Sequence, residues 1–137
     1  MPHDVGRAIS ARALACVGVP FRLRGRQRDA GLDCVGLVAN ALAGAGVSFE
    51  VSCDYTLRGD YLTRISTFFD RDCFDAINGP DLRRGDILLC ESAVRQLHFA
   101  VVAGDGAVHA YAGLRRIVLT PLPLPWPIIG HWRYIGD

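Results

Sequence analysis

At 137 residues the chain is long enough to bury a substantial core, and it reads as one domain over its whole length, 1–137. A formal net charge of +1 offers no electrostatic case for nucleic acid or an anionic membrane surface as a partner. All 15 basic residues are arginines, which excludes lysine as nucleophile or base. The hydrophobic share of 50% argues against disorder. The cysteines at 16, 34, 53, 73 and 90 show no C-x-x-C spacing, so no metal, redox motif or cofactor is signalled. Met1 to Val19 lacks the continuous apolar core of a signal peptide. No stretch approaches the roughly 18 apolar residues of a membrane span. The expected place of the chain, as synthesised, is the cytoplasm.

Taken in order, Asp4 can cap a first helix over about residues 5–17, with Val5, Ile9, Leu14 and Cys16 or Val17 as its apolar stripe. Gly18 and Pro20 end it. Residues Phe21 to Ala30 are polar and carry arginines at 22, 24, 26 and 28. Alternate arginines suit either a carboxylate- or phosphate-binding strip or a solvated loop, and the balanced charge elsewhere favours the loop. Gly31 then turns the chain into Asp33, a good N-cap, and Cys34 opens a second helix that continues through Leu37, Val38 and Leu42 to Gly44 or Gly46. Val47 to Asp54 reads as an extended connection. Leu57, Tyr61, Ile65 and Phe68 predict a third helix over about 57–69. The tripeptide Arg58-Gly59-Asp60 within it is given no weight.

From there the pattern turns to period two. Asp86–Cys90, His98–Val102, Ala107–Tyr111 and Arg116–Leu119 read as strands, with Gly104-Asp105-Gly106 as a hairpin signal. The prolines of 121–127 restrict that stretch to an edge or a loop, and Gly130 to Ile135 reads as a closing strand. Helices first and a strand meander after predict an α+β fold.

A cysteine opening a helix faces unpaired backbone N–H groups and the positive end of the dipole, which favours thiolate. A nucleophilic thiol also needs a histidine within hydrogen-bond reach and a third group to orient it. His98 begins a strand, and His109 follows eleven positions later across the Gly104–Gly106 turn. If Ala103 pairs with Gly106, the two imidazoles are diagonal neighbours on one face; a slip of one residue separates them. His3 and His131 have no such company, and His131 reads as a surface strand residue.

These residues resemble the NlpC/P60 cysteine peptidases. Gly18-Val19-Pro20-Phe21, Leu32-Asp33-Cys34-Val35-Gly36-Leu37-Val38, Leu82-Arg83-Arg84-Gly85-Asp86-Ile87, His98-Phe99-Ala100 and Val108-His109-Ala110 follow that family's blocks in its order, over about residues 5–135. The resemblance implies a papain-like fold, with N-terminal helices packed on an antiparallel sheet of about five strands. It also implies hydrolysis of peptidoglycan stem peptides, commonly between γ-D-glutamate and a diamino acid. Cys34 would be the nucleophile, His98 the general base and then acid, and His109 the orienting residue. Phe21, Asp33, Arg24 and Arg26 would face the substrate, with Phe21 standing where the family usually has tyrosine and Val35 where it has serine. The segment Gly25-Arg26-Gln27-Arg28 before Asp33 is most similar to compact members carried with phage tails and gene-transfer agents. That likeness would add tail or particle proteins as partners and a virion or tail as location. The competing readings are a structural tail component with the same fold and little activity, and a cysteine-dependent acyltransferase or amidase.

Overall fold

A computed structural model describes residues 5–49, 67–93 and 96–136. Two helices, α1 (Val5–Ala15) and α2 (Cys34–Ala43), flank a small hairpin of β1 (Arg26–Gln27) and β2 (Gly31–Leu32). The remaining strands are β3 (Phe74–Ala76), β4 (Ile87–Ala93), β5 (Gln96–Ala103), β6 (Gly106–Tyr111), β7 (Arg116–Pro121) and β8 (Ile128–Tyr134). They form one antiparallel sheet in the order β3-β8-β4-β5-β6-β7. The architecture is the expected α+β arrangement, with a sixth strand, β3, at the edge beside β8. Residues 67–69 are helical; the rest of the predicted third helix, like His3, Asp4, Cys53 and Arg58-Gly59-Asp60, lies outside the described residues.

The sheet buries side chains on both faces. Alternation along each strand sends Ile87, Leu89, Phe99, Val101, Val108 and Ile117 toward the helices, into one cluster with Ile9, Ala13, Leu37, Val38 and Leu42. The intervening Leu88, Cys90, Ala100, Val102 and Ala107 form a second cluster, covered by Leu82, Leu122, Leu124 and Trp126. That double burial explains the unbroken apolar run Ile87-Leu88-Leu89-Cys90. The proline-rich segment 121–127 therefore roofs the sheet face that the helices leave bare.

The predicted stripe of α1 is rotated. Ile9, Ala13 and Cys16 are buried at i, i+4, i+7 spacing, while Leu14 and Val17 point outward, each 43% exposed. Two glycines of the sequence blocks are required by close backbone contacts. A Cβ on Gly36 would collide with the Gly25 carbonyl, so the hairpin can lie directly on the first turn of α2. At Gly85 the backbone φ is +90° and a Cβ would meet the Gly6 backbone, so the turn before β4 seats on the start of α1.

Candidate active site

The first turn of α2 is held from two sides. Asp33 caps it, its Oδ1 accepting from the Gly36 N–H at 2.9 Å. The same carboxylate accepts from the Arg24 backbone N–H at 2.7 Å and from Arg26 Nη1 at 3.1 Å. Asp33 is only 2% exposed. Its carboxylate therefore ties the hairpin to the helix, its oxygens engaged by Gly36, Arg24 and Arg26 in place of the substrate-facing position expected for it. The four arginines separate accordingly. Arg26 is half-buried on Asp33, whereas Arg22, Arg24 and Arg28 are exposed. Phe21 is half-buried against the helix-side core, and its N–H donates to the Arg115 carbonyl at 2.8 Å. It bridges to Leu32, two residues before Cys34.

Cys34 begins α2 and is 4% exposed. Burial pushes its thiol up to about 12 and the Asp33 charge adds to the rise, while backbone hydrogen bonds from Phe99, Cys34 and Val35 oppose it. The expectation that a helix start alone favours thiolate does not hold here, because desolvation outweighs the aligned N–H groups. The Phe99 contact is informative in another way: it sets the sulfur against the backbone of the residue that follows His98.

The β5–β6 ladder pairs Ala103 with Gly106 and ends at Ala100 opposite His109. His98 therefore lies two residues beyond the partner of His109, on the same sheet face. Their rings meet nearly at right angles, with His98 Nε2 and His109 Nδ1 2.9 Å apart. The geometry repeats one strand further on. His109 faces Val118 on β7, and its Nε2 lies 2.7 Å from Oγ1 of Thr120. His98, His109 and Thr120 thus form a diagonal row across three strands. Burial, and secondarily the second imidazole, pulls His98 down to about 4; burial also lowers His109. With these shifts the thiol and both imidazoles are neutral near neutral pH.

Two residues of this region were not singled out by sequence reasoning. Thr120 falls one residue past the predicted Arg116–Leu119 strand, and only the β6–β7 register places it under His109. Trp126 sits among prolines, yet its ring contacts both His98 and His109.

A second buried histidine lies elsewhere. His131, expected at the surface, is 7% exposed, with Nε2 2.6 Å from Asp86 Oδ2. Arg133 donates to the same carboxylate through Nε at 2.8 Å and Nη2 at 2.9 Å. The surface expectation fails because β8 is an interior strand, paired with both β3 and β4. Burial by itself would raise the Asp86 carboxyl, but the hydrogen bonds from Arg133, His131 and the Arg83 backbone leave it below its ordinary value. Among the described residues no group of His, Cys, Asp and Glu is arranged to hold a metal ion, and no helix is long and apolar enough to cross a membrane.

Comparison with solved structures finds the same fold in three informative relatives. NlpC2 from Trichomonas vaginalis superposes with a TM-score of 0.71 at 16% identity, covering 98% of this chain and 48% of that one; this chain spans about half the length of that relative. RipB of Mycobacterium tuberculosis, described as a peptidoglycan hydrolase, gives 0.64 at 20% identity over 100% of this chain and 69% of that one. RipD of the same organism, described as a non-catalytic NlpC/p60 domain protein adapted to peptidoglycan binding, gives 0.61 at 16% identity, covering 98% and 100%. No curated protein sequence matches the chain. The NlpC/P60 family model matches residues 18–118, from the glycine before Phe21 to the β7 residue opposite His109, and the chain belongs to the NlpC/P60 family.

Proposed function

We propose that the protein is a cysteine endopeptidase that hydrolyses peptidoglycan stem peptides, at the bond between γ-D-glutamate and a diamino acid. The observation that carries the reading is the His98–His109 contact of 2.9 Å, with the backbone of Phe99, the residue after His98, hydrogen-bonded to the helix-opening thiol. His98 Nε2 engages His109, which leaves Nδ1 for Cys34. A proton on Nε2 is donated to His109 Nδ1, and His109 donates in turn from Nε2 to Thr120. The first step then starts from neutral groups. His98 Nδ1 takes the thiol proton as Sγ attacks the scissile carbonyl carbon, and the oxyanion forms near the N–H of Cys34. Such donors are worth about 3–4 kcal/mol when aligned. The imidazolium returns its proton to the leaving amine, and water, deprotonated by the same nitrogen, releases the acyl group from sulfur.

Stem peptides carry free carboxylates, and Arg24 offers an exposed guanidinium in the hairpin beside the α2 start, with Arg26 tied to Asp33 behind it. A peptide with a free carboxylate beside the scissile bond is therefore expected to react faster than its amidated form. Equal rates would reduce the arginines to a solvated loop. The deciding experiment is digestion of defined muropeptides with mass analysis of the products, alongside Cys34→Ala. Hydrolysis that survives Cys34→Ala would overturn the proposal.

A second reading, recognition of wall peptides without turnover, is favoured by the burial of Cys34 and the upward push on its thiol. Binding of intact muropeptides with no product would select it. Carriage by a phage tail or a gene-transfer particle stays a proposal on the sequence likeness alone, tested by probing purified particles with an antibody to the chain.

A further inference from the structure

The roof over the second sheet face is fastened at both ends. The Leu122 N–H donates to the Asp105 carbonyl at 3.0 Å, in the β5–β6 turn, and the Glu91 N–H donates to the Pro127 carbonyl at 3.0 Å, on β4. Between those points Leu122, Leu124 and Trp126 pack on Leu88, Cys90, Ala100, Val102 and Ala107. The indole of Trp126 reaches the site. It meets His98 with ring centroids 5.2 Å apart at 70°, and His109 with centroids 5.2 Å apart at 84°. One aromatic side chain therefore packs edge-to-face against both imidazoles of a hydrogen-bonded pair.

We propose that Trp126 is a positioning residue that clamps the His98–His109 pair in its perpendicular arrangement and keeps water from its outer face. Three facts support this beyond proximity. The two imidazoles are themselves at 78°, so the three rings form a mutually edge-on set in which rotation of any one is resisted by the other two. The segment bearing Trp126 cannot swing on one hinge, because one end is bonded to the β5–β6 turn and the other to β4. And Cys90, the residue paired with His98 across β4–β5, contributes a buried thiol rather than a carboxylate on that side. Among the described residues, the titratable groups around the pair are Cys90, opposite His98, and next along its strand Glu91 from β4, and Tyr111 from β6, whose ring lies 6.0 Å from that of His109. The apolar indole is what stands between the imidazoles and solvent over the proline-rich side. Loss of that cover admits water and relieves the burial that holds both imidazoles neutral.

This inference deepens the peptidase reading, but its test needs no substrate. Imidazole titrations followed by NMR in the intact chain are compared with Trp126→Ala and Trp126→Phe. Trp126→Ala should raise the His98 midpoint by about one pH unit or more, a tenfold change in proton affinity. Trp126→Phe should hold most of the original value. An unchanged midpoint in folded Trp126→Ala overturns the proposal. If Trp126→Ala fails to fold, the unaltered chain decides: proton–proton contacts from the indole to both imidazoles are expected, and contacts to neither overturn it. Where hydrolysis is measurable, the acid limb of kcat/KM should move with the titration. A chain that hydrolyses nothing yet shows the shift would sink the peptidase reading and leave Trp126 in this role.

Discussion

The molecule buries histidines in two ways. His131 sits with Asp86 and Arg133, where opposite charges are matched and every oxygen of the carboxylate is engaged. His98 sits with His109, Thr120 and Trp126, where no charge is matched and the rings are held neutral. A matched cluster fixes β4 to β8 and has nothing left to give. A neutral row of rings with no matched charge keeps the capacity to take a proton and return it. The contrast separates a buried histidine held in an ion-paired cluster from a half-buried one held among neutral rings.

The sharpest way to break this contrast is to remove one key group from each cluster. Cys34→Ala should lower kcat/KM on a defined muropeptide by more than about 10⁴-fold with little change in the unfolding midpoint. Asp86→Ala should do the reverse, costing about 1–3 kcal/mol in denaturant unfolding because it removes the carboxylate shared by the buried His131 and the half-buried Arg133, while folded protein keeps its activity. If Asp86→Ala instead abolished turnover in folded protein, the cluster would belong to the site.

The two clusters should also separate in pH. A histidine whose folded value is about 4, against about 6.5 unfolded, stabilises the fold fully above 6.5. That stability is lost as pH falls from there toward 4, since the unfolded chain binds the proton first. The Asp86 carboxyl is depressed on folding, so its contribution disappears only below its ordinary value of 3.8. Replacing His98 by Gln should flatten the stability curve between about 6.5 and 4 and leave the steeper acid loss intact. Activity should likewise hold a plateau across neutral pH rather than peak in a narrow bell.

Smaller effects sharpen the picture within the site. Thr120→Val should cost about tenfold or less in kcat, the scale of one hydrogen bond, and His109→Ala about a hundredfold, within the range of positioned proton transfer. A larger loss from Thr120 than from His109 would contradict their order in the row. Iodoacetamide near pH 6.5 should label Cys73, the half-buried thiol, before the buried Cys34, Cys16 and Cys90; faster labelling of Cys34 would mean its thiolate is favoured after all. Phe21→Tyr should leave turnover equal or higher, as measured on the same muropeptide.

Much of this was legible from residue order. Asp33 before Cys34 announced the cap, and Gly104-Asp105-Gly106 set the register that brings His98 to His109. What escaped has physical reasons. The strand Phe74–Ala76 is three residues long and lies in an edge, too short for alternation to register. The hairpin of Arg26–Gln27 and Gly31–Leu32 has two residues per strand and hides in a polar run. The partners of His131 are 45 and two positions away in sequence, and only the β8 insertion between β3 and β4 assembles them. Burial of the Cys34 thiol is likewise a sum over neighbours from several elements, which spacing does not encode.

The diagonal of His98, His109 and Thr120 advances by the same eleven positions at each strand. Two connections, the turn at Gly104-Asp105 and the short turn at Ala112–Leu114, must therefore keep count together. Adding one residue to either would carry its strand's polar member through the sheet to the helix side. The row works as a vernier: the imidazoles and the hydroxyl come into line at one setting of the ladders, and the hydrogen-bonded row becomes a readout of strand alignment.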